Sequence, residues 1–219
     1  MRFRMPDGHD RKIGIDTLII AGWAGRDGTA VAHHIAELEA IGVAPPSRTP
    51  LFHRAGAGLL TTAPRIQVVG AGTSGEAEVV LVATENGLFV GLGSDHTDRE
   101  AEAMSVALSK QLCPKPVAGE LWRYEDVSEG WDALVLRSWA VIGGAREPYQ
   151  EGPLSGLLPA QDLIDEAGGL APGTALFCGT LPVQGGIRPA DRFEMELEDP
   201  VRGRRIRHTY DVESLPAVS

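Results

Sequence analysis

A chain of 219 residues, 43% hydrophobic and 23% charged, can bury a sizeable core and has the balance of a globular protein rather than a disordered one. Its 20 Lys and Arg against 30 Asp and Glu leave a net charge of −10, which argues against a nucleic-acid partner because phosphate neutralisation needs surplus cations. The two cysteines, Cys113 and Cys178, lack paired ligand spacing, so no disulfide framework is expected and a reduced, cytoplasmic setting is the default.

Ile13 to Ala24 reads as a strand. Its apolar part, from Thr17, is too short to span a bilayer, and no apolar run follows the basic start at Arg2 and Arg4, so no membrane association is expected. The turn after it leads into a helix capped by Asp27 or Thr29, with Val31, Ile35 and Leu38 as its buried stripe and Gly42 as its stop. A Pro-rich loop fills Ala44 to Pro50, and Arg65 to Val69 is a short strand. Glu76 to Ala83 and Leu88 to Leu92 form a hairpin through Thr84-Glu85-Asn86-Gly87. Thr97, with Glu100 three residues on, opens a helix that ends near Lys110.

Trp131 to Ile142 reads as a strand pair or one long strand, and Leu158 to Ala167 as a short helix closed by Gly168-Gly169. Ala175 to Cys178 and Arg192 to Leu197 are further strands, the second alternating at Phe193, Met195 and Leu197. With 27 glycines, 15 prolines, no repeat and no linker, the order of elements points to one α+β domain over residues 1–219, dominated by sheet.

Glu76 and Glu78 stand two apart at a strand's head, so their carboxylates share a face at roughly 6–7 Å spacing. They are either two solvated glutamates on an edge strand or a pair that needs a cation between them. Asp95, beyond the partner strand, returns to the same end; it either caps the next helix or completes an all-oxygen site for a hard ion such as Mg²⁺, Mn²⁺ or Ca²⁺. His34 and Glu37 are helix-surface neighbours, which suits a carboxylate-oriented general base and equally an ordinary helix face. Lys110 ends its helix, where a cation also meets the dipole, and Gly179-Thr180 is either a ligand-binding turn or a simple bend.

In their order these elements resemble the fumarylacetoacetate hydrolase family. That family carries His-x-x-Glu, then Glu-x-Glu at a strand head, an Asn-Asp-x-Ser-x-Arg segment, a Lys, and a Pro-Gly-Asp … Thr-Gly-Thr-Pro signature. The matching residues are His34 to Glu37, Glu76 and Glu78, Ser94 to Glu100, Lys110, and Pro172 to Pro182, with Pro189 to Glu196 similar to the following strand. The segment Tyr149-Gln150-Glu151-Gly152 is similar to the family's Gln-containing stretch. Ser94 stands for the usual Asn, Cys178 for the first Thr, Thr174 for the usual Asp, and the stretch after Lys110 is short.

The resemblance implies a sheet-rich mixed β-roll, often dimeric, with Mg²⁺ or Mn²⁺ on Glu76, Glu78 and Asp95. It implies His34 and Glu37 as the base, Lys110 as a catalytic cation, and Gln150, Gly179 and Thr180 as substrate-binding. The activity implied is hydrolysis or lysis of a C–C bond in a 2-oxo or 2,4-dioxo acid through a metal-stabilised enolate. The alternatives are amide or ester hydrolysis on the same scaffold, or a non-catalytic metal- or small-molecule-binding protein.

Overall fold

The computed structural model describes residues 1–40 and 45–218, and their side chains apart from those of His34, Glu37, Leu38 and Ala40. The principal elements are β1 (Thr17–Gly22), α1 (Gly28–Ala40), β2 (Leu51–Ala55), β3 (Arg65–Val69), β4 (Ala77–Thr84) and β5 (Gly87–Ser94). They continue with α2 (Arg99–Met104), α3 (Val106–Leu112), β6 (Trp122–Arg123), β7 (Val135–Ile142), β8 (Ala145–Pro153) and α4 (Ala160–Glu166). β9 (Thr174–Thr180), β10 (Arg192–Asp199) and β11 (Arg204–Leu215) complete them. The arrangement is the sheet-rich α+β class expected from the sequence.

Two sheets carry the fold. The first has the order β6-β5-β4-β9-β1-β2, and the second β8-β7-β10-β11-β3. Between them lies one apolar cluster, with Ile19, Val79, Leu81, Val90, Leu92 and Leu176 from the first sheet against Leu136, Ala140, Phe193, Met195, Leu197, Ile206 and Tyr210 from the second. The first sheet's other face is also buried, where Leu18, Ile20, Val80, Val82, Ala175 and Phe177 pack under Phe3, Met5, Val117 and Leu121.

That difference explains the two sequence patterns. A strand covered on both faces reads as a continuous apolar run, as β4 does. A strand covered on one face alternates, as β10 does, and its outward side carries ion pairs such as Arg137 with Glu196 and Glu198, and Arg207 with Glu196.

Several boundaries differ from the sequence reading. Asp27 is the cap of α1, its carboxylate accepting from the Thr29 and Ala30 amides at 2.9 and 3.2 Å. Of the expected stripe, Val31 and Ile35 are half-buried, whereas the Leu38 side chain and the expected stop at Gly42 lie outside the described residues. The expected Thr97–Lys110 helix is two helices. Asp98, not Thr97, caps the first, and Ser105, extended at φ −162°, ends it and caps the second by accepting from the Leu108 amide. Serine competes for backbone groups inside a helix, which makes Ser105 a break point.

Trp131 lies in a single 3₁₀ turn ahead of β7 rather than in a strand. The sequence reading did not anticipate β8 or the 12-residue β11, where Arg204 and His208 fall on the same side as buried Ile206 and Tyr210 and interrupt the apolar alternation. Among the described residues no helix is long and apolar enough to cross a membrane.

Gly75, just before β4, lies directly against two aromatic side chains of the second sheet. A Cβ there would lie 2.7 Å from the Tyr210 hydroxyl and 2.8 Å from the Phe193 ring. Gly75→Ala is therefore expected to cost about 1–3 kcal/mol by overpacking. Urea denaturation checks this, and an unchanged midpoint would mean that both rings yield freely.

Candidate metal centre

The hairpin register builds the site. Ala77 pairs with Ser94 and Glu78 with Gly93, so the start of β4 meets the end of β5. The ladder runs one step further, the Asp95 amide donating to the Glu76 carbonyl at 2.9 Å. One carboxylate oxygen from each of Glu76, Glu78 and Asp95 lies within 4.8 Å of the others. Glu78 and Asp95 are buried, and Glu76 is half-buried.

Three acids so close need compensation, and three cations supply it. Lys110 on α3 forms an ion pair and hydrogen bond with Asp95 Oδ2. Lys115 Nζ lies 3.0 Å from Asp95 Oδ1 and donates to the His96 carbonyl at 2.5 Å. Arg99 reaches Glu76 at 3.2 Å and Glu102 at 2.7 Å, while its Nε donates to Ser74. The break at Ser105 starts the helix that carries Lys110 to Asp95.

Titration behaviour follows from these contacts. Burial, and then the Asp95 charge, push Glu78 well above the usual carboxylate range, although the Gly179 amide donates to it at 2.7 Å. Burial also opposes ionisation of Asp95, but Lys110 and Lys115 outweigh it and hold Asp95 below that range. Lys110 in turn is held above the ordinary lysine value, the attraction of Asp95 exceeding the cost of burial.

The donor set fits a hard divalent ion. It is all oxygen, burial and the Asp95 charge raise the titration of Glu78, and Asp95 Oδ1 is buried without an aligned hydrogen bond despite its nearness to Lys115.

The remaining sequence-assigned residues fall into two groups. His34 and Glu37 occur on α1, but their side chains lie outside the described residues. Gln150, Gly179 and Thr180 adjoin the site, and their hydrogen bonds serve the protein. The Gln150 amide accepts from the Ala77 amide and the Ser138 hydroxyl, and donates to Thr180 Oγ1 and the Leu181 carbonyl. That uses its full capacity, so Gln150 braces β4 here. Thr180 donates to the Ala77 carbonyl at 2.9 Å. Gly179, at φ +91°, leaves no room for a side chain, since a Cβ would lie 2.7 Å from that of Ala24.

The sequence reading passed over Lys115. Its signal was a lysine between Pro114 and Pro116 at the edge of an apolar stretch, a placement unlike that of a solvated lysine. It also passed over His53 on β2, half-buried, whose titration is lowered by burial and by the charge of Lys110.

Because the folded-state value of Glu78 exceeds the unfolded one, the metal-free fold holds a proton that the unfolded chain releases above about pH 4.5. Stability from this group is present below that pH and lost as pH rises through the folded value. In chelator, Glu78→Gln should therefore raise the thermal midpoint at about pH 8, by ~1.4 kcal/mol for each pH unit of the lost penalty, and make little difference near pH 4. An equal midpoint at both pH values would show that Glu78 carries no such strain.

A family model described as "Protein of unknown function (DUF2848)" matches residues 21–210. No curated protein matches the chain. Among solved structures, a protein from Oleispira antarctica assigned to the fumarylacetoacetate isomerase/hydrolases is similar at 18% identity and TM-score 0.72, covering 97% of this chain and 99% of that one. A 2-keto-3-deoxy-D-arabinonate dehydratase complexed with magnesium and 2,5-dioxopentanoate is similar at 16% identity and TM-score 0.62, covering 94% and 75%. A maleylpyruvate hydrolase from Sphingobium sp. SYK-6, in complex with manganese(II) and pyruvate, is similar at 15% identity and TM-score 0.60, covering 91% and 71%. With 190 of its residues under the family model and its two sheets superposing on these enzymes, the chain belongs to the family described as protein of unknown function (DUF2848) and has the fold of the fumarylacetoacetate hydrolases.

Proposed function

We propose that the protein is a Mg²⁺- or Mn²⁺-dependent hydrolase or lyase that cleaves a C–C bond of a 2-oxo or 2,4-dioxo acid. The observation that carries this reading is the convergence of Glu76, Glu78 and Asp95 within 4.8 Å at a site with two buried lysines. Two proteins of the same fold hold magnesium with 2,5-dioxopentanoate and manganese with pyruvate, and both organic ligands are 2-oxo acids.

Charge supports the substrate class. Glu76, Glu78, Asp95 and the Glu102 that shares Arg99 set four carboxylates against Lys110, Lys115 and Arg99, so a divalent ion leaves one positive charge to be met by a ligand. A 2-oxo acid brings one negative charge in its carboxylate, and a second develops on its oxo oxygen as the C–C bond breaks. An ion held by the three acids supplies Lewis-acid polarisation of that oxo group.

The chain's own groups do the rest. The Lys110 ammonium, which meets Asp95 alongside Lys115, would neutralise charge growing on the substrate. His34, backed by Glu37, activates water or removes a proton in this reading. Lys115, fixed between Asp95 and the His96 carbonyl, places a buried positive charge on the carboxylate that the ion would share.

Turnover of a panel of 2-oxo and 2,4-dioxo acids with Mg²⁺ and Mn²⁺ tests the proposal. Oxalate, a planar dianion that mimics a pyruvate enolate, should compete with the substrate and bind more tightly than pyruvate. Lys110→Met should lower kcat by about 10²–10³-fold, more than it weakens Mn²⁺ binding. Failure of oxalate to compete in metal-loaded enzyme rules out the enolate route and leaves amide or ester hydrolysis on this scaffold. A separate expectation concerns Lys115→Met: with a competing cation removed from Asp95, Mn²⁺ alone should bind more tightly, as isothermal calorimetry would show.

A further inference from the structure

We propose that Tyr210 and His96 are positioning residues whose hydrogen-bonded chain holds Glu76 at the metal centre. Glu76 is the acid with the weakest intrinsic support of the three, since it precedes the first residue of β4 and is half-buried. Its amide donates to Ser94 Oγ at 3.2 Å. Ser94 Oγ lies 2.8 Å from the Tyr210 hydroxyl, which lies 3.0 Å from His96 Nδ1. His96 Nε2 closes the chain on Thr73 Oγ1 at 2.9 Å.

Ser94 Oγ accepts from the Glu76 amide, and the bonds from Ser94 through Tyr210 and His96 to Thr73 can be donated in either sense, each sense leaving every member of the chain paired. Thr73, Ser94, His96 and Tyr210 are each at most 3% exposed, so no water competes for these bonds. Every link is therefore needed to satisfy the next.

The chain also joins two parts of the fold. Tyr210 belongs to β11 of the second sheet, while Glu76 and Ser94 belong to the hairpin of the first. Gly75 is flush against the Tyr210 hydroxyl, so the backbone entering Glu76 rests on the same group that anchors Ser94. Outer hydrogen bonds of this kind commonly set metal affinity by about 10–100-fold through the ligand they orient.

The inference rests on the metal-site reading for its purpose, and its test separates the two. The variants are Tyr210→Phe and Ser94→Ala, with Tyr149→Phe as control, because the Tyr149 hydroxyl is buried without a hydrogen-bond partner. Amide hydrogen exchange is followed by NMR in metal-free protein, and Mn²⁺ affinity by electron paramagnetic resonance. In Tyr210→Phe, exchange at Glu76 should quicken about tenfold or more while Leu81 in mid-strand is unchanged, and Mn²⁺ should bind about tenfold more weakly than in the control. Ser94→Ala should reproduce both effects and stands in if Tyr210→Phe does not fold. Glu76 exchange and Mn²⁺ affinity equal to those of Tyr149→Phe would overturn the proposal. If the unmodified protein takes up no Mn²⁺, the metal reading falls, and the exchange comparison alone decides whether the chain holds Glu76.

Discussion

The structure turns on the cost of crowding like charges out of water. Glu76, Glu78 and Asp95 meet at one end of a hairpin whose flanks are apolar, where an uncompensated carboxylate would be expensive. Much around them answers that cost. The pair of short helices brings Lys110 inward, the segment between Pro114 and Pro116 buries Lys115, and Arg99 opens the first helix against Glu76. Glu78 draws instead on the backbone amide of Gly179, from the strand next to its own.

The two sheets serve this end differently. The first is buried on both faces, and its strand ends gather the acids, Gly179 and Thr180. The second sheet contributes side chains that reach across: Gln150 to the Ala77 amide, and Tyr210 to Ser94. Side chains from outside the acid cluster thereby fix the backbone on which the acids stand. A site held on strands by such cross-links is more sharply defined than one carried on loops.

Much of this was legible in the sequence, for identifiable reasons. The hairpin, β3, β9 and β10 were visible because their burial imposes either a continuous apolar run or strict alternation. The three acids were visible because two-residue spacing and the hairpin return are local geometry. Lys115, Tyr210 and His96 were not, because their meaning depends on pairings across the chain, such as the 114 residues between His96 and Tyr210. The long Thr97–Lys110 helix was misread because Ser105, which caps the second helix from inside the stretch, was passed over. Gln150 was assigned to substrate by its motif, whereas its amide is consumed by its neighbours.

The lysine clamp on Asp95 has a consequence for how the protein is made. In small zinc domains the ion is a staple, and the chain is unfolded until it arrives. Here each acid has a partner supplied by the chain itself, from Lys110 and Lys115 on Asp95 to Arg99 on Glu76 and the Gly179 amide on Glu78. For a metal-dependent enzyme of the proposed kind, folding and metal loading would be separate events, with the ion a reversible guest of a chain that is already folded.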